Sequence, residues 1–210
     1  MRAESNKAKA KQVLQAKKAT YSLITRIKQL NLTFETSIEL IERLIIPVLL
    51  YGSEIWGYEN SKQLQTMFNI VMRKFLKLHK TTPMCMINGE LGLKEILEYI
   101  ENRMMNFWFQ VATGEETKIS TILYKWIKIL HNKNIYSSVW IEKVETTLEH
   151  MGMSSLFDVT TNTKKSWFKN NTKIRLKNIY IHKWSESVFN NTVCLNYRAM
   201  TVVKKPKHIY

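Results

Sequence analysis

Glycine and proline are scarce in this chain of 210 residues, at six and three respectively, about a third of what an average protein of that length carries. Turns and hairpins draw on these two residues, so the shortage excludes a sandwich, a barrel or a hairpin-rich sheet and leaves helices. Aspartate is nearly missing: of 17 acidic residues only Asp158 is Asp, which excludes chemistry that holds two metal ions between paired Asp carboxylates. Cysteine is limited to Cys85 and Cys194, with neither CxxC spacing nor a Cys/His cluster of zinc-ligand spacing. That usage predicts no metal, no disulfide framework and a nuclear or cytoplasmic setting. The strongest apolar run, Leu44 to Tyr51, falls far short of the roughly 20 residues of a membrane span, so no membrane partner is expected.

Positive charge is abundant, and it is unevenly placed. The formal net charge is +15, with +7 in residues 1–30, −2 in 31–160 and +10 in 161–210. Basic ends around a near-neutral middle suit a polyanion, most often nucleic acid. The composition alone fits a helical protein with solvated cationic ends equally well.

Apolar periodicity organises the chain into about seven helices. The first runs from Ala3 to Leu30, with Val13, Leu14, Tyr21, Leu23, Ile24, Ile27 and Leu30 inward and Lys7, Lys9, Lys11, Lys17 and Lys18 outward. A second starts near Thr36, where Thr36 and Glu39 have capping-box spacing, and is kinked or broken by Pro47. The apolar run from Ile45 to Trp56 should sit in mid-core. Asn60-Ser61 caps a third helix with a stripe from Leu64 to Leu76 and a basic face of Arg73, Lys74, Lys77 and Lys80, stopped at Thr81-Thr82-Pro83. A short turn over Met84–Asn88 leads to a bend at Gly89-Glu90-Leu91-Gly92, which lacks the Lys-Ser/Thr of a phosphate loop. Helices follow over Lys94–Val111, Lys118–Leu130 and Ser138–Met151, and the second of these should bury Ile119, Ile122, Leu123, Trp126, Ile127 and Leu130. A last helix spans about Ser166 to Asn190, with Trp167, Ile174, Ile181 and Val188 recurring every seven residues; the tail from Val193, including Lys204-Lys205-Pro206-Lys207, shows no period. The expected fold is therefore an all-α irregular bundle. Residues 1–152 form its body and 153–210 a basic helical extension with a loose tail.

Catalytic constellations do not assemble. The five histidines are scattered, no Ser or Cys stands in a nucleophile context, and Glu98 and Glu101, three apart, read as solvated surface groups. The chain by itself is expected to be no enzyme and to need no cofactor. Trp108, Trp126, Trp140 and Trp184 fall on apolar stripes and should be core. Trp167, between Lys165 and Lys169, is the aromatic best placed to stack on a base.

The string Pro47-Val-Leu-Leu-Tyr-Gly-Ser-Glu-Ile-Trp-Gly57 resembles the stretch that follows the polymerase palm in non-LTR (LINE-like) retrotransposon reverse transcriptases. Leu76–Lys80, Thr82-Pro83, Gly89–Gly92, Arg103, Phe107-Trp108 and Cys194-Leu-Asn-Tyr-Arg198 follow in the order expected for that family, so the likeness extends from about Lys17 to Arg198. The resemblance implies a helical thumb and the linker after it, detached from the palm whose aspartates bind the catalytic metals. It implies a piece of a longer polymerase or a truncated copy of one, and a possible docking partner in such a palm. Combined with the charge pattern, it leads to non-catalytic binding of an RNA or DNA backbone through Lys17, Lys18, Arg73, Lys74, Lys77, Lys173, Arg175 and Lys177. A helical protein-interaction module, using the exposed parts of the Ile45–Trp56 run, is the other reading, beside a mobile-element remnant without function.

Overall fold

The computed structural model describes residues 2–57, 61–158, 163–194 and 197, and all their regular structure is helical. The α-helices are α1 (Arg2–Gln29), α2 (Phe34–Leu40), α3 (Ile46–Leu49), α4 (Ser53–Trp56), α5 (Lys62–Phe75), α6 (Met84–Leu91), α7 (Ile96–Ala112), α8 (Ile119–Asn132), α9 (Val139–His150) and α10 (Lys165–Asn190). They divide into two compact units interleaved in sequence. The first comprises Met1–Gly52, Glu59–Leu97 and Lys183–Tyr210; the second comprises Ser53–Tyr58 and Glu98–His182. Asn60, Arg198 and the Lys204–Lys207 run lie outside the described residues.

In the first unit α1 packs along α5 and α3. Its buried positions are Lys9, Gln12, Ala16, Thr20, Leu23 and Ile27, spaced by three and four as one helix face requires. Leu23 and Ile27 set that face, and helical geometry carries it back to Lys9, so Lys9 is buried where an outward lysine was expected. Leu14, Tyr21 and Leu30, expected inside, are exposed.

Helix α2 begins earlier than the Thr36–Glu39 spacing suggested. Thr33 is the N-cap, its hydroxyl accepting from the Thr36 backbone N–H at 3.3 Å. Pro47 acts as expected: lacking an N–H and crowding the preceding turn, it follows a π-helical stretch over Ile41–Ile45 in which Ile46 N–H donates to the Ile41 carbonyl. Ile45, Ile46, Leu49 and Leu50 around it are buried, whereas Tyr51 and Ile55, expected in mid-core, are exposed because the run breaks at Gly52 and its two parts turn different faces inward.

Helix α5 keeps its stripe, with Leu64, Met67, Phe68, Val71 and Met72 buried, but it ends at Phe75, well before Thr81. Lys77 takes φ 54° and a paired 6→1, 5→2 closure follows, Leu78 N–H to Arg73 O at 2.9 Å and Lys77 N–H to Lys74 O at 3.3 Å. Met84–Leu91 is a helix, not a turn and bend: Pro83 stands at its N-cap and Gly92, at φ 63°, closes it in the left-handed region. The region after Val193, expected to be loose, is partly packed. Val188, Cys194 and Tyr197 are buried against Cys85, Met86 and Trp184.

The second unit is built around Trp108. Its ring stacks on Phe157 with centroids 6.4 Å apart, Phe109 stacks on Phe168 at 4.3 Å, and the Trp108 indole N–H donates to the Tyr124 hydroxyl at 2.9 Å. Burial pushes the Tyr124 phenol up to about 12. Ser138 caps α9 through the Ile141 N–H. Glu98 and Glu101, expected at the surface, are both buried; Glu101 accepts from the Tyr180 hydroxyl at 3.1 Å and pairs with Lys143 at 2.9 Å. Donors on both sides make it a structural anchor.

Two helices face the opposite way from their apolar stripes. In α8 the inward residues are Thr121 and Tyr124, whereas Ile119, Ile122, Leu123, Trp126 and Ile129 point to solvent. In the part of α10 belonging to this unit, Phe168, Thr172, Leu176 and Tyr180 are buried and the seven-residue row Trp167, Ile174 and Ile181 is exposed. The tyrosine hydroxyl that satisfies Trp108 explains α8, because turning the helix to bury Trp126 would withdraw Tyr124 from the core. Of the other tryptophans expected in the core, Trp140 and Trp184 are half-buried, and their indole N–H groups donate to the Glu54 and Cys85 carbonyls.

Candidate nucleic-acid interface

The residues expected to meet phosphates fall in both units, Lys17, Lys18, Arg73, Lys74 and Lys77 in the first and Lys173, Arg175 and Lys177 in the second. On the first, Lys17 and Lys18 are exposed on α1, one turn before Tyr21. Lys74 of α5 reaches the same spot because α1 and α5 pack together. Its ammonium donates to the Tyr21 hydroxyl at 2.5 Å and lies 4.3 Å from the ring centroid. The Tyr21 phenol is held below its ordinary value first by this hydrogen bond, then by the Lys74 charge, with a smaller contribution from Lys17. Two ammonium groups from different helices thus act on one half-exposed aromatic ring. Among the described residues, no acid pairs with Lys17, Lys18, Lys74 or Lys77.

Arg73 has another task. Its Nε and Nη2 both donate to the Thr82 carbonyl, at 3.2 and 2.8 Å, which ties the segment after α5 back to that helix. Lys77, in its left-handed conformation, is exposed just beyond the helix end.

In the second unit Lys173 is exposed on α10. Arg175 is half-buried and donates through Nη1 to the Met151 carbonyl and, at 3.4 Å, to that of Gly152. It therefore satisfies carbonyls at the end of α9 that the helix leaves open. Lys177 is half-buried. Trp167 is exposed, as are Lys165 and Lys169 beside it in sequence. Lys17, Lys18, Lys74, Lys77 and Lys173 are exposed, whereas both arginines hold backbone together.

Sequence reading missed Tyr21 as a site residue, since Lys74 lies 53 positions away and only the packing of two helices joins them. It also missed that the two cysteine sulfurs, 109 positions apart, stand 3.4 Å from each other, both as free thiols. Tyr197 beside them is pushed up to about 12 by burial and then by the charge of Glu90. Among the described residues, no group of three or more His, Cys, Asp and Glu is placed to hold a metal ion, and no helix is long and apolar enough to cross a membrane. Compared with family models, with curated proteins and with solved structures, the chain has no significant match.

Proposed function

We propose that this chain binds the backbone of RNA or DNA without catalysis of its own, as the thumb and post-palm region of a non-LTR retrotransposon reverse transcriptase. The observation that carries the binding is the convergence of Lys17 and Lys74 on Tyr21, with Lys18 and Lys77 exposed nearby in sequence. Cations without acidic partners gain by meeting phosphates, and an aromatic ring among them offers a face to a base. The resemblance of the Pro47–Gly57 string and the motifs after it supports the family origin. Contacts of this kind carry little sequence information, so low sequence specificity follows. A labelled duplex titrated at low salt tests the reading. Binding that weakens steeply as salt rises is the expected result, and no binding at low salt overturns it.

A further inference from the structure

Helix α8 carries an apolar face that stays exposed among the described residues. Ile119, Ile122, Leu123, Trp126 and Ile129 are 75, 41, 55, 66 and 54% exposed. They recur at intervals of three and four over three turns, which makes one continuous ridge. Taking about 200 Å² for a fully exposed large side chain, the ridge presents about 600 Å² of apolar surface, at the top of what a monomer ordinarily leaves open. The turn after α8 adds Ile135 and Tyr136, and the first residue of α9 adds Val139, all exposed. Together they offer about 900 Å², close to one partner's share of a standard protein interface.

The ends of the helix say what fits there. Glu115 and Glu116 stand just before its first turn, with side chains 74 and 85% exposed and paired with Lys118 and Lys125 of the same chain at 3.6 and 2.5 Å, and Lys133 is exposed at its C-cap. Glu115, Glu116 and Lys118 leave one net negative charge at the start and Lys133 puts one positive charge at the end, so the helix is complementary to itself when reversed, and the helix dipoles favour the same arrangement.

We infer that the α8 ridge docks on a second copy of this chain, antiparallel about a two-fold axis near Tyr124, with Ile119 against Ile129 of the second copy, Ile122 against its Trp126 and Glu115 beside its Lys133. One register satisfies all three pairings. Ridge positions 119, 122, 126 and 129 and the Glu115–Lys133 pair are symmetric about the same point of the sequence, as an isologous interface requires, and Leu123 then lies beside the stem of Lys125 of the second copy. The Ile45–Trp56 run offers less, because Ile45, Ile46, Leu49 and Leu50 are buried within the first unit. The inference is independent of nucleic-acid binding.

Sedimentation velocity of the full chain over a concentration series, without nucleic acid, tests it. A monomer–dimer equilibrium is expected with a dissociation constant between about 1 and 100 µM, within reach of an interface of this size. Trp126→Ala removes an exposed indole and should leave the circular dichroism spectrum and thermal midpoint unchanged. Losing an interface anchor on both sides of the axis should weaken the dimer by about thirtyfold per side, near a thousandfold in all. Lys133→Glu should weaken it by about tenfold, and adding Glu115→Lys in the same chain should restore it, because the pair is only exchanged. A wild-type chain that stays monomeric throughout overturns the proposal and assigns the ridge to a partner of different sequence. So does a dimer that Trp126→Ala leaves intact, or a charge swap that fails to restore the Lys133→Glu loss.

Discussion

Four lysines of the first unit, Lys17, Lys18, Lys74 and Lys77, are exposed and without a described acidic partner. If each neutralises one phosphate of a DNA duplex, the logarithm of the association constant should fall against the logarithm of salt with a slope of about −3.6. Raising salt from about 50 to 200 mM should then cost about 150-fold in affinity. The double substitution Lys17→Gln, Lys74→Gln removes two of these contacts at solvent-exposed positions, where the cost to the fold is small. It should halve the slope to about −1.8, and the same salt step should cost only about 12-fold. Fluorescence anisotropy of a labelled duplex, titrated at four or five salt concentrations, reads both slopes directly. Tyr21→Phe keeps the ring and removes the hydroxyl that Lys74 binds, so the slope should stay near −3.6 while Lys74 loses one anchor. A wild-type slope near zero refutes the phosphate assignment, and a normal slope that the double substitution does not change moves the contacts away from the α1–α5 face.

Three further results are expected. Tyr124 is buried and its phenol is raised to about 12, so the folded state holds the neutral form after the unfolded chain has ionised; stability is complete below about pH 10 and falls between about pH 10 and 12 by some 2–3 kcal/mol. Denaturant unfolding across that range should show the slope, and Tyr124→Phe should reduce it to the part that Tyr197 contributes, at the cost of the Trp108 hydrogen bond. The free thiols of Cys85 and Cys194, 3.4 Å apart, should form an intramolecular disulfide with diamide, each losing a proton and one electron to the oxidant; faster migration on a non-reducing gel checks this, and Cys85→Ser should abolish the shift. Gly89→Ala would place a methyl group against the Tyr197 hydroxyl and the Trp184 ring. That crowding, typically costing about 1–3 kcal/mol, should outweigh the helix preference for Ala of about 1 kcal/mol, lower the thermal midpoint and speed the reaction of Cys194 with a thiol reagent.

Helix positions were largely legible in the sequence, and helix faces were not. The α5 stripe reads correctly because every apolar position at the right spacing points to a single side. In α8 a second set, Thr121 and Tyr124, competes with a more apolar one, and the hydrogen bond from Trp108 to Tyr124 decides between them. No periodicity reveals that bond. In α10 two rows lie on opposite faces, and Trp167, Ile174 and Ile181 of the seven-residue repeat face solvent because Phe168 finds the stacked face of Phe109, while the last member, Val188, is buried. Lys17, Lys18, Lys74, Lys77 and Lys173 were legible as exposed from charge alone, whereas the burial of Lys9 was not. The duties of Arg73 and Arg175 as holders of carbonyls were not, since both depend on where a neighbouring segment ends. Met84–Leu91 was misread because Gly89 suggests a bend, whereas there it makes room for Trp184 and Tyr197.

The first unit takes its parts from separated stretches of chain, and this sets an order of events during synthesis. Cys85 and Met86 leave the ribosome long before Trp184, Val188, Cys194 and Tyr197, the residues that cover them. The 109 positions between the two cysteines correspond to about 5–20 s of elongation at ordinary rates. During that interval this side of α6 is bare while the Trp108 core, complete by His182, can already close. The nascent chain therefore passes through a stage in which Cys85 and Met86 lack the residues that cover them in the finished fold.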